Sequence, residues 1–214
     1  MNRKLPLTSL FSIKKIKVLL SFGFKGYLVD QGWFNAFLSQ SPVDAENKPI
    51  PWVTYPFIDF IKKRLNKNLT VFEYGAGNST LFYSNLVKEV ISVENDKAWI
   101  EKLSKNKPEN VNFIYTELFY DGEYSKMPKV LNKEFDIIIV DGRDRVNCCK
   151  NSISSLKEGG IVILDDSERE QYSLAFKLFK ENGFKEISFN GIAPGLFHTK
   201  CTTIFYKINN CLGI

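Results

Sequence analysis

From residue 69 onward, short apolar runs alternate with amphipathic stretches. Residues 69–74 (LTVFEY), 89–94 (EVISVE), 111–115 (VNFIY), 135–140 (FDIIIV) and 161–164 (IVIL) each have the length and β-branched content of a buried strand. Between them, residues 79–87, 96–104, 147–156 and 168–182 carry apolar positions at helical spacing. Asn95 or Asp96 serves as a cap for the second of these, Gly159-Gly160 ends the third and Gly183 the fourth. Continuous apolar strands separated by helices predict a parallel sheet covered on both faces.

The alternation breaks at the C-terminus. Residues 185–190 and 202–208 both read as strands, but only residues 191–201 connect them, with Gly191, Pro194 and Gly195 inside. A parallel crossover needs a dozen or more residues, usually with a helix. An antiparallel hairpin at the sheet edge is the expectation. The predicted fold is therefore α/β, Rossmann-like and doubly wound, with a mainly parallel seven-stranded sheet and an antiparallel C-terminal edge hairpin.

Residues 1–68 follow no such alternation and are read as a helical and aromatic cap segment, with residues 69–214 as the main domain. Residues 30–56 hold Trp33, Phe34, Trp52 and Tyr55 with Pro42, Pro49, Pro51 and Pro56, which predicts an ordered loop with aromatic anchors. It is read either as a lid over the substrate or as packing over one end of the sheet. A helix over residues 57–65 leads into the first strand.

Composition adds little to the fold: 44% hydrophobic and 25% charged residues in a 214-residue chain fit a globular core. Charge placement adds more. Residues 1–29 carry Arg3, Lys4, Lys14, Lys15, Lys17 and Lys25 and no acid, with Leu10, Ile13, Ile16 and Leu20 at helical spacing beside them. The simplest reading is a surface helix whose apolar stripe packs on the main domain. The other is a basic amphipathic helix in peripheral contact with an anionic membrane or a protein partner. No apolar run reaches the ~20 residues of a membrane span, and no secretory leader pattern is evident. Cys148, Cys149, Cys201 and Cys211 lack metal-type spacing and fit reduced thiols in a cytoplasmic protein.

The chemistry begins at VFEYGAGNST, residues 71–80. A strand feeds a glycine turn and then a helix, whose first amides face a ligand. Glu73 stands at the strand's end, ahead of Gly75 and Gly77, and Asn78, Ser79 and Thr80 open the helix. An acid there suits a cationic cofactor better than a pyrophosphate, and Thr80 replaces the third glycine of the dinucleotide pattern. Glu94 follows Gly77 by seventeen positions, close to the spacing at which an acid meets ribose hydroxyls in nucleotide-binding βαβ units.

Together EYGAGNST, SVEND, IIIVDGRDR and LKEGGIVILDD resemble the class I S-adenosylmethionine-dependent methyltransferases over roughly residues 69–208. The resemblance implies S-adenosylmethionine as cofactor. Glu73, Gly75 and Gly77 would then meet its methionine end and Glu94 its ribose, while Asn78, Ser79, Thr80 and Asp141 complete the cofactor site. Thr116 and Glu117, after the third strand, would lie near the adenine.

Asp141, Asp165 and Asp166 fall at the C-terminal ends of adjacent predicted strands, where open α/β sheets bind ligands. Such hard oxygen donors suit Mg²⁺, and the pattern is loosely similar to the metal site of sugar and catechol O-methyltransferases. The catechol enzymes carry a lysine beyond the first acid; here the stretch is DGRDR, with Asp144 as a candidate base out of the expected register. Without metal, Asp141 would sit near cofactor and substrate, and Asp165 or Asp166 would cap the next helix. Arg143 and Arg145 either clamp an anionic substrate or pair with Asp141 and Asp144. His198 is the third candidate catalytic residue beside Asp141 and Asp144.

The expected function is methyl transfer to an oxygen of a small polar acceptor, with sugars as candidates; nucleic acid is not an expected partner. The rival readings are a non-catalytic partner- or membrane-binding module on the same fold and a nucleotide-dependent oxidoreductase.

Overall fold

The computed structural model describes residues 12–214. Arg3, Lys4 and Leu10 lie outside the described residues. Seven strands form one sheet: β1 (Thr70–Tyr74), β2 (Glu89–Glu94), β3 (Val111–Tyr115), β4 (Phe135–Val140), β5 (Leu156–Asp165), β6 (Lys185–Gly191) and β7 (Lys200–Tyr206). Their order is β3-β2-β1-β4-β5-β7-β6. The first five pair in parallel; β7 runs antiparallel to both β5 and β6. The short connection between the last two strands makes the hairpin, as its length requires.

Alternate side chains of each strand feed opposite faces. Val71, Ile137, Ile139, Ile161, Ile163 and Ile204 enter one core. Phe72, Tyr74, Ile138, Val140, Val162, Leu164 and Phe205 enter the other. Each fully buried aliphatic side chain contributes roughly 1.5–3 kcal/mol, so both layers of helices are held by the strands between them.

The helices of the alternating part are α5 (Asn78–Ser84), α6 (Lys97–Ser104), α7 (Glu123–Val130), α8 (Arg145–Ser152) and α9 (Ser173–Glu181). Asp96 caps α6, its Oδ1 accepting from the Trp99 amide at 3.0 Å. Three local expectations need correction. The pattern gave no element between residues 116 and 134, yet α7 lies there and buries Tyr124, Ser125, Met127 and Pro128; Pro128, in its last turns, masks the helical signature. The expected helix over 147–156 ends at Ser152, and β5 already begins at Leu156. Gly159 and Gly160 therefore lie inside a strand, not at a helix stop. A Cβ on Gly160 would lie 3.0 Å from the Phe135 carbonyl, and one on Gly159 2.8 Å from the Asn209 carbonyl, at a register irregularity between β4 and β5. The expected helix over 168–182 is split into a 3-10 turn, Glu170–Tyr172, followed by α9.

The N-terminal part is more helical than its prolines and aromatics predict. It contains α1 (Ile13–Ser21), α2 (Tyr27–Asp30), α3 (Trp33–Ser39) and α4 (Tyr55–Lys62). Trp33, Ile50, Val53, Tyr55, Phe57, Ile58 and Ile61 enter the same core as Val71 and Ile137, so this part packs over one face of the sheet. Two indoles fasten it to the β6–β7 connection: Trp33 Nε1 donates to the Leu196 carbonyl (3.0 Å) and Trp52 Nε1 to that of Pro194 (2.8 Å).

The apolar stripe of α1 does not pack on the domain, contrary to the simplest expectation. The helix buries none of its residues, and Ile13, Ile16, Val18, Leu19 and Leu20 are all exposed. No helix among the described residues is long and apolar enough to cross a membrane.

Gly195 adopts φ +68°, and a Cβ there would meet the backbone of Ala36 and Phe37 at 2.8–3.0 Å. Gly195→Ala is expected to destabilise the protein by about 2 kcal/mol or more through strain and forced separation of α3 from the hairpin loop. Urea denaturation with an unchanged m-value would show this; a midpoint equal to the parent's would contradict the packing.

Candidate functional site

The sheet order reverses direction beside β1, so loops leaving β1 and β4 part to opposite faces and open a crevice at their C-terminal ends. A cavity of about 470 Å³ occupies it. Gly75, Ala76 and Ser79 line it from the β1–α5 loop, Glu94, Asp96 and Trp99 from β2–α6, Tyr124 from α7, and Asp141, Gly142, Arg143 and Arg145 from the loop after β4.

The glycine loop is held from beneath. Gly75 has φ +90°, and its amide donates to the Val93 carbonyl. A Cβ on Gly75 would press on Asp141 and Gly142 at 3.3 Å, whereas one on Gly77 would meet nothing within 4 Å. Gly77 thus opens the front of the loop, while Gly75 permits its turn. Thr80 is fully buried: its hydroxyl donates to Glu73 Oε2 at 2.5 Å and accepts from the Gly77 amide at 3.0 Å. Thr80 therefore shapes the loop and presents nothing to the cavity. Asn78 turns away as well, donating to Ser41 Oγ (3.1 Å) and the Pro42 carbonyl (2.8 Å), which ties the loop to the N-terminal part.

Glu73 is buried behind the loop. Its Oε2 also accepts from Ser92 Oγ at 3.0 Å, while Oε1 has no partner among the described residues. Burial pushes its pKa up to about 7, against the lowering effect of the hydroxyls of Ser79, Thr80 and Ser92. Glu94 has a different setting. Oε2 accepts from the Ala76 amide (3.1 Å) and Oε1 from those of Asn95 (2.7 Å) and Asp96 (3.0 Å). The carboxylate bridges the ends of β1 and β2 and faces the cavity. Trp99 fixes the same junction, its indole donating to the Ala76 carbonyl at 2.7 Å. Thr116 is buried, its amide on the Glu94 carbonyl, and Glu117 is exposed; neither lines the cavity.

Neither Trp99 nor Tyr124 was marked by the sequence as a site residue. Trp99 stands on the first turn of the helix after Glu94, a placement that could have flagged it. Tyr124 lies in the stretch where Pro128 hid the helix, and no signal pointed to it. Its ring leaves no room for a side chain at position 142, where a Cβ would lie 2.0 Å from the hydroxyl.

The acidic trio is arranged differently from a metal site. Asp141 Oδ1 pairs with Arg145 Nη2 at 2.9 Å. Asp165 is buried, with Oδ1 accepting from Thr202 (2.9 Å) and Oδ2 from Lys200 Nζ (2.7 Å). Asp166, in the left-handed region at φ +51°, pairs through Oδ2 with Arg169 (2.6 Å) and Arg145 (3.5 Å). Its Oδ1 lies 2.7 Å from Lys200 Nζ, an ion pair without a hydrogen bond's angle. Three carboxylates thus face three cations, Arg145, Arg169 and Lys200, and each has at least one oxygen in an ion pair. This donor set does not fit Mg²⁺, which demands octahedral oxygen ligands at 2.0–2.1 Å. Among the described residues no group of three or more His, Cys, Asp or Glu is placed to hold a metal. The cluster of Asp141, Asp165 and Asp166, expected to ligate Mg²⁺, carries its own counter-charge.

These neighbours act on one another. Burial and nearby Asp165 raise the pKa of Asp141 above the usual carboxylate range, with Arg145 opposing. Burial likewise raises Asp165. Burial also pushes Asp166 up, but Lys200, Arg145 and Arg169 outweigh it and hold Asp166 below its ordinary value. Of the two arginines, Arg145 takes the pairing role, while Arg143 is exposed and without an ion pair among the described residues. Asp144 accepts from the Asp121 amide (2.9 Å) and from Asn147 Nδ2 (2.9 Å). It lies outside the cavity described above and lines an adjoining one with Gly142, Arg143 and Arg145. His198 is exposed on the β6–β7 connection, away from the cavity lining and without a side-chain hydrogen bond among the described residues, so nothing orients it for proton transfer.

This strand order, with its antiparallel end and its crevice, is the Rossmann-like methyltransferase fold. No protein-family model matches the sequence, and no curated protein matches it. Solved structures do. A methyltransferase-like protein from Silicibacter pomeroyi is 21% identical over 75% of this chain and 89% of its own, with a TM-score of 0.54. A putative caffeoyl-CoA O-methyltransferase from Staphylococcus aureus is 16% identical over 92% and 100%, with a TM-score of 0.54. A putative methyltransferase from Streptococcus mutans, in complex with SAH, is 17% identical over 70% and 94%, with a TM-score of 0.51. These likenesses define the fold.

Because folding raises the pKa of Glu73, the folded state keeps a proton that the unfolded chain releases. The associated stability is present below pH 4.5 and lost as pH rises through about 7. Glu73→Gln is expected to remove this loss, gaining about 3 kcal/mol relative to the parent between pH 4.5 and pH 8. Chemical denaturation across that range checks it; parallel curves for parent and variant would contradict the buried, raised carboxyl.

Proposed function

We propose that this chain is an S-adenosylmethionine-dependent methyltransferase acting on an oxygen of a small polar acceptor, with sugars the first class to test. The observation that carries this reading is that the Gly75–Gly77 loop and the Glu94 carboxylate, joined through the Ala76 amide, line one polar cavity at the switch point of this fold. The residues fit the cofactor: Gly77 leaves room at the loop, a buried carboxylate stands behind it, and Glu94 Oε2 retains a lone pair for a ribose hydroxyl. Glu73, Gly75 and Gly77 would form the methionine end, with Ser79 at the rim, while Asn78 and Thr80 act through the loop's shape. Trp99 adds an aromatic wall. We read residues 69–214 as the cofactor domain and residues 1–68 as the cap segment.

When bound, S-adenosylmethionine supplies a methyl group already activated on sulfonium, so positioning accounts for much of the rate. Asp141 is the candidate base. It lines the cavity, and its raised pKa suits it to take the proton of an acceptor hydroxyl. Arg145 orients that carboxylate. Arg143, exposed at the rim, offers a guanidinium to an anionic group of the acceptor. The edge hairpin disfavours a nucleotide-dependent oxidoreductase. Four free cysteines support a cytoplasmic setting.

We further propose that α1 rests on an anionic membrane surface. Lys14, Lys15 and Lys17 accompany exposed Ile13, Ile16 and Leu20, Phe22 and Phe24 are exposed just beyond, and no acid lies within residues 12–29. Each lysine near such a surface contributes about 1 kcal/mol, and the apolar face supplies the rest.

Glu94→Ala is expected to weaken S-adenosylmethionine binding at least about tenfold, by loss of charge-assisted hydrogen bonds, as read by calorimetry; unchanged affinity contradicts its role. Asp141→Asn is expected to lower kcat by about 10²–10⁴ and flatten its rise with pH, with sugars and catechol-like diols as trial acceptors. A full-rate variant would remove Asp141 as base. In vesicle sedimentation, the full chain is expected to pellet with phosphatidylserine-containing vesicles but not with neutral ones, and to be released by salt. The Lys14→Glu/Lys15→Glu/Lys17→Glu variant should stay in solution; equal pelleting of variant and parent, or none, contradicts the membrane reading.

A further inference from the structure

We infer that the ammonium of Lys200 occupies a latent divalent-cation site at the end of β5, so that this sheet edge works with a tethered cation in place of a metal. Three oxygens converge on Lys200 Nζ: Asp165 Oδ2 at 2.7 Å, Asp166 Oδ1 at 2.7 Å and the Trp52 carbonyl at 2.9 Å. Two carboxylates and a backbone carbonyl around one point are the ligand chemistry of a hard cation. The ammonium donates hydrogen bonds to Asp165 Oδ2 and the Trp52 carbonyl, and holds Asp166 Oδ1 as an ion pair. Lys200 and the two aspartates are all buried. Two adjacent carboxylates in such surroundings require a positive charge close by.

The arrangement also shows why the site takes lysine and not a free ion. Lys200 begins β7, and β7 pairs with β5 in a register that sets Thr202 opposite Asp165. The Thr202 hydroxyl occupies Asp165 Oδ1. Arg145 and Arg169 occupy Asp166 Oδ2, and Arg145 draws Asp141 to the cofactor side. What is left uncovered by arginine or hydroxyl is one inward oxygen from each of Asp165 and Asp166, and Lys200 fills the space between them. The third bond, to residue 52, fastens the N-terminal part to the strand ends. Lys200 is thus a positioning residue with two tasks, neutralising the acids and anchoring the segment that flanks the crevice.

The test is Mn²⁺ binding to the full chain, read from the electron paramagnetic resonance signal of free Mn²⁺ and from the melting temperature in Mn²⁺ against chelator. The parent is expected to leave the free signal and its melting temperature unchanged. Lys200→Ala should bind one Mn²⁺ at least about tenfold more tightly than the parent, with a rise in melting temperature, and adding Asp165→Asn should abolish both. Lys200→Met, which keeps the stem's bulk without its charge, replaces the alanine variant if that does not fold. Mn²⁺ binding by the parent, or a folded variant that binds none, overturns the inference. The readout is independent of methyl transfer, so failure of the proposed activity leaves it standing.

Discussion

Three carboxylates at the ends of β4 and β5 cannot share a nearly dry corner unless positive charge meets each of them. The chain supplies Arg145 from α8, Arg169 from the turn after β5 and Lys200 from β7. These are distant in sequence, and their convergence requires the sheet to be assembled and the edge hairpin to be folded back antiparallel. The same lysine reaches the Trp52 carbonyl, so the N-terminal part is seated by the cluster too. Charge balance at this corner links the hairpin, the loop after β4 and the flank of the crevice.

The cofactor side follows an opposite electrostatic logic. Among the described residues Glu73 lies buried with no cation beside it, held by hydroxyls and with Oε1 unpartnered, and burial raises its pKa. Glu94 has three backbone amides and faces the cavity. One corner is neutralised internally; at the other, Glu94 keeps carboxylate capacity for something that arrives from outside. A cationic, hydroxyl-bearing cofactor meets that description, and the crevice opens beside these loops, where the chain leaving β1 parts from that leaving β4.

The strands and their order class were legible because buried parallel strands leave near-continuous apolar runs such as FDIIIV, and because eleven residues rich in glycine and proline cannot form a crossover. The glycine loop and Glu94 were legible for the same local reason: strand, turn and helix follow one another in sequence. Side-chain pairing across the fold was not. Nothing in DGRDR or LDD announces that Lys200, thirty-four residues beyond Asp166, fills the place expected for Mg²⁺. Pro128 concealed α7 and with it Tyr124. The helical start of α1 was legible, but its failure to pack was not, since an amphipathic stripe looks the same against a core as against a membrane.

The central claim is that the crevice lined by the Gly75 loop and Glu94 binds S-adenosylmethionine without help from a metal. Calorimetric titration of the purified chain with S-adenosylmethionine, in chelator and again in Mg²⁺, tests it most directly. The account predicts saturable binding at one site with the same affinity in both. Absence of binding in either condition would contradict the cofactor assignment, and binding that appears only with Mg²⁺ would contradict the self-neutralised acidic cluster.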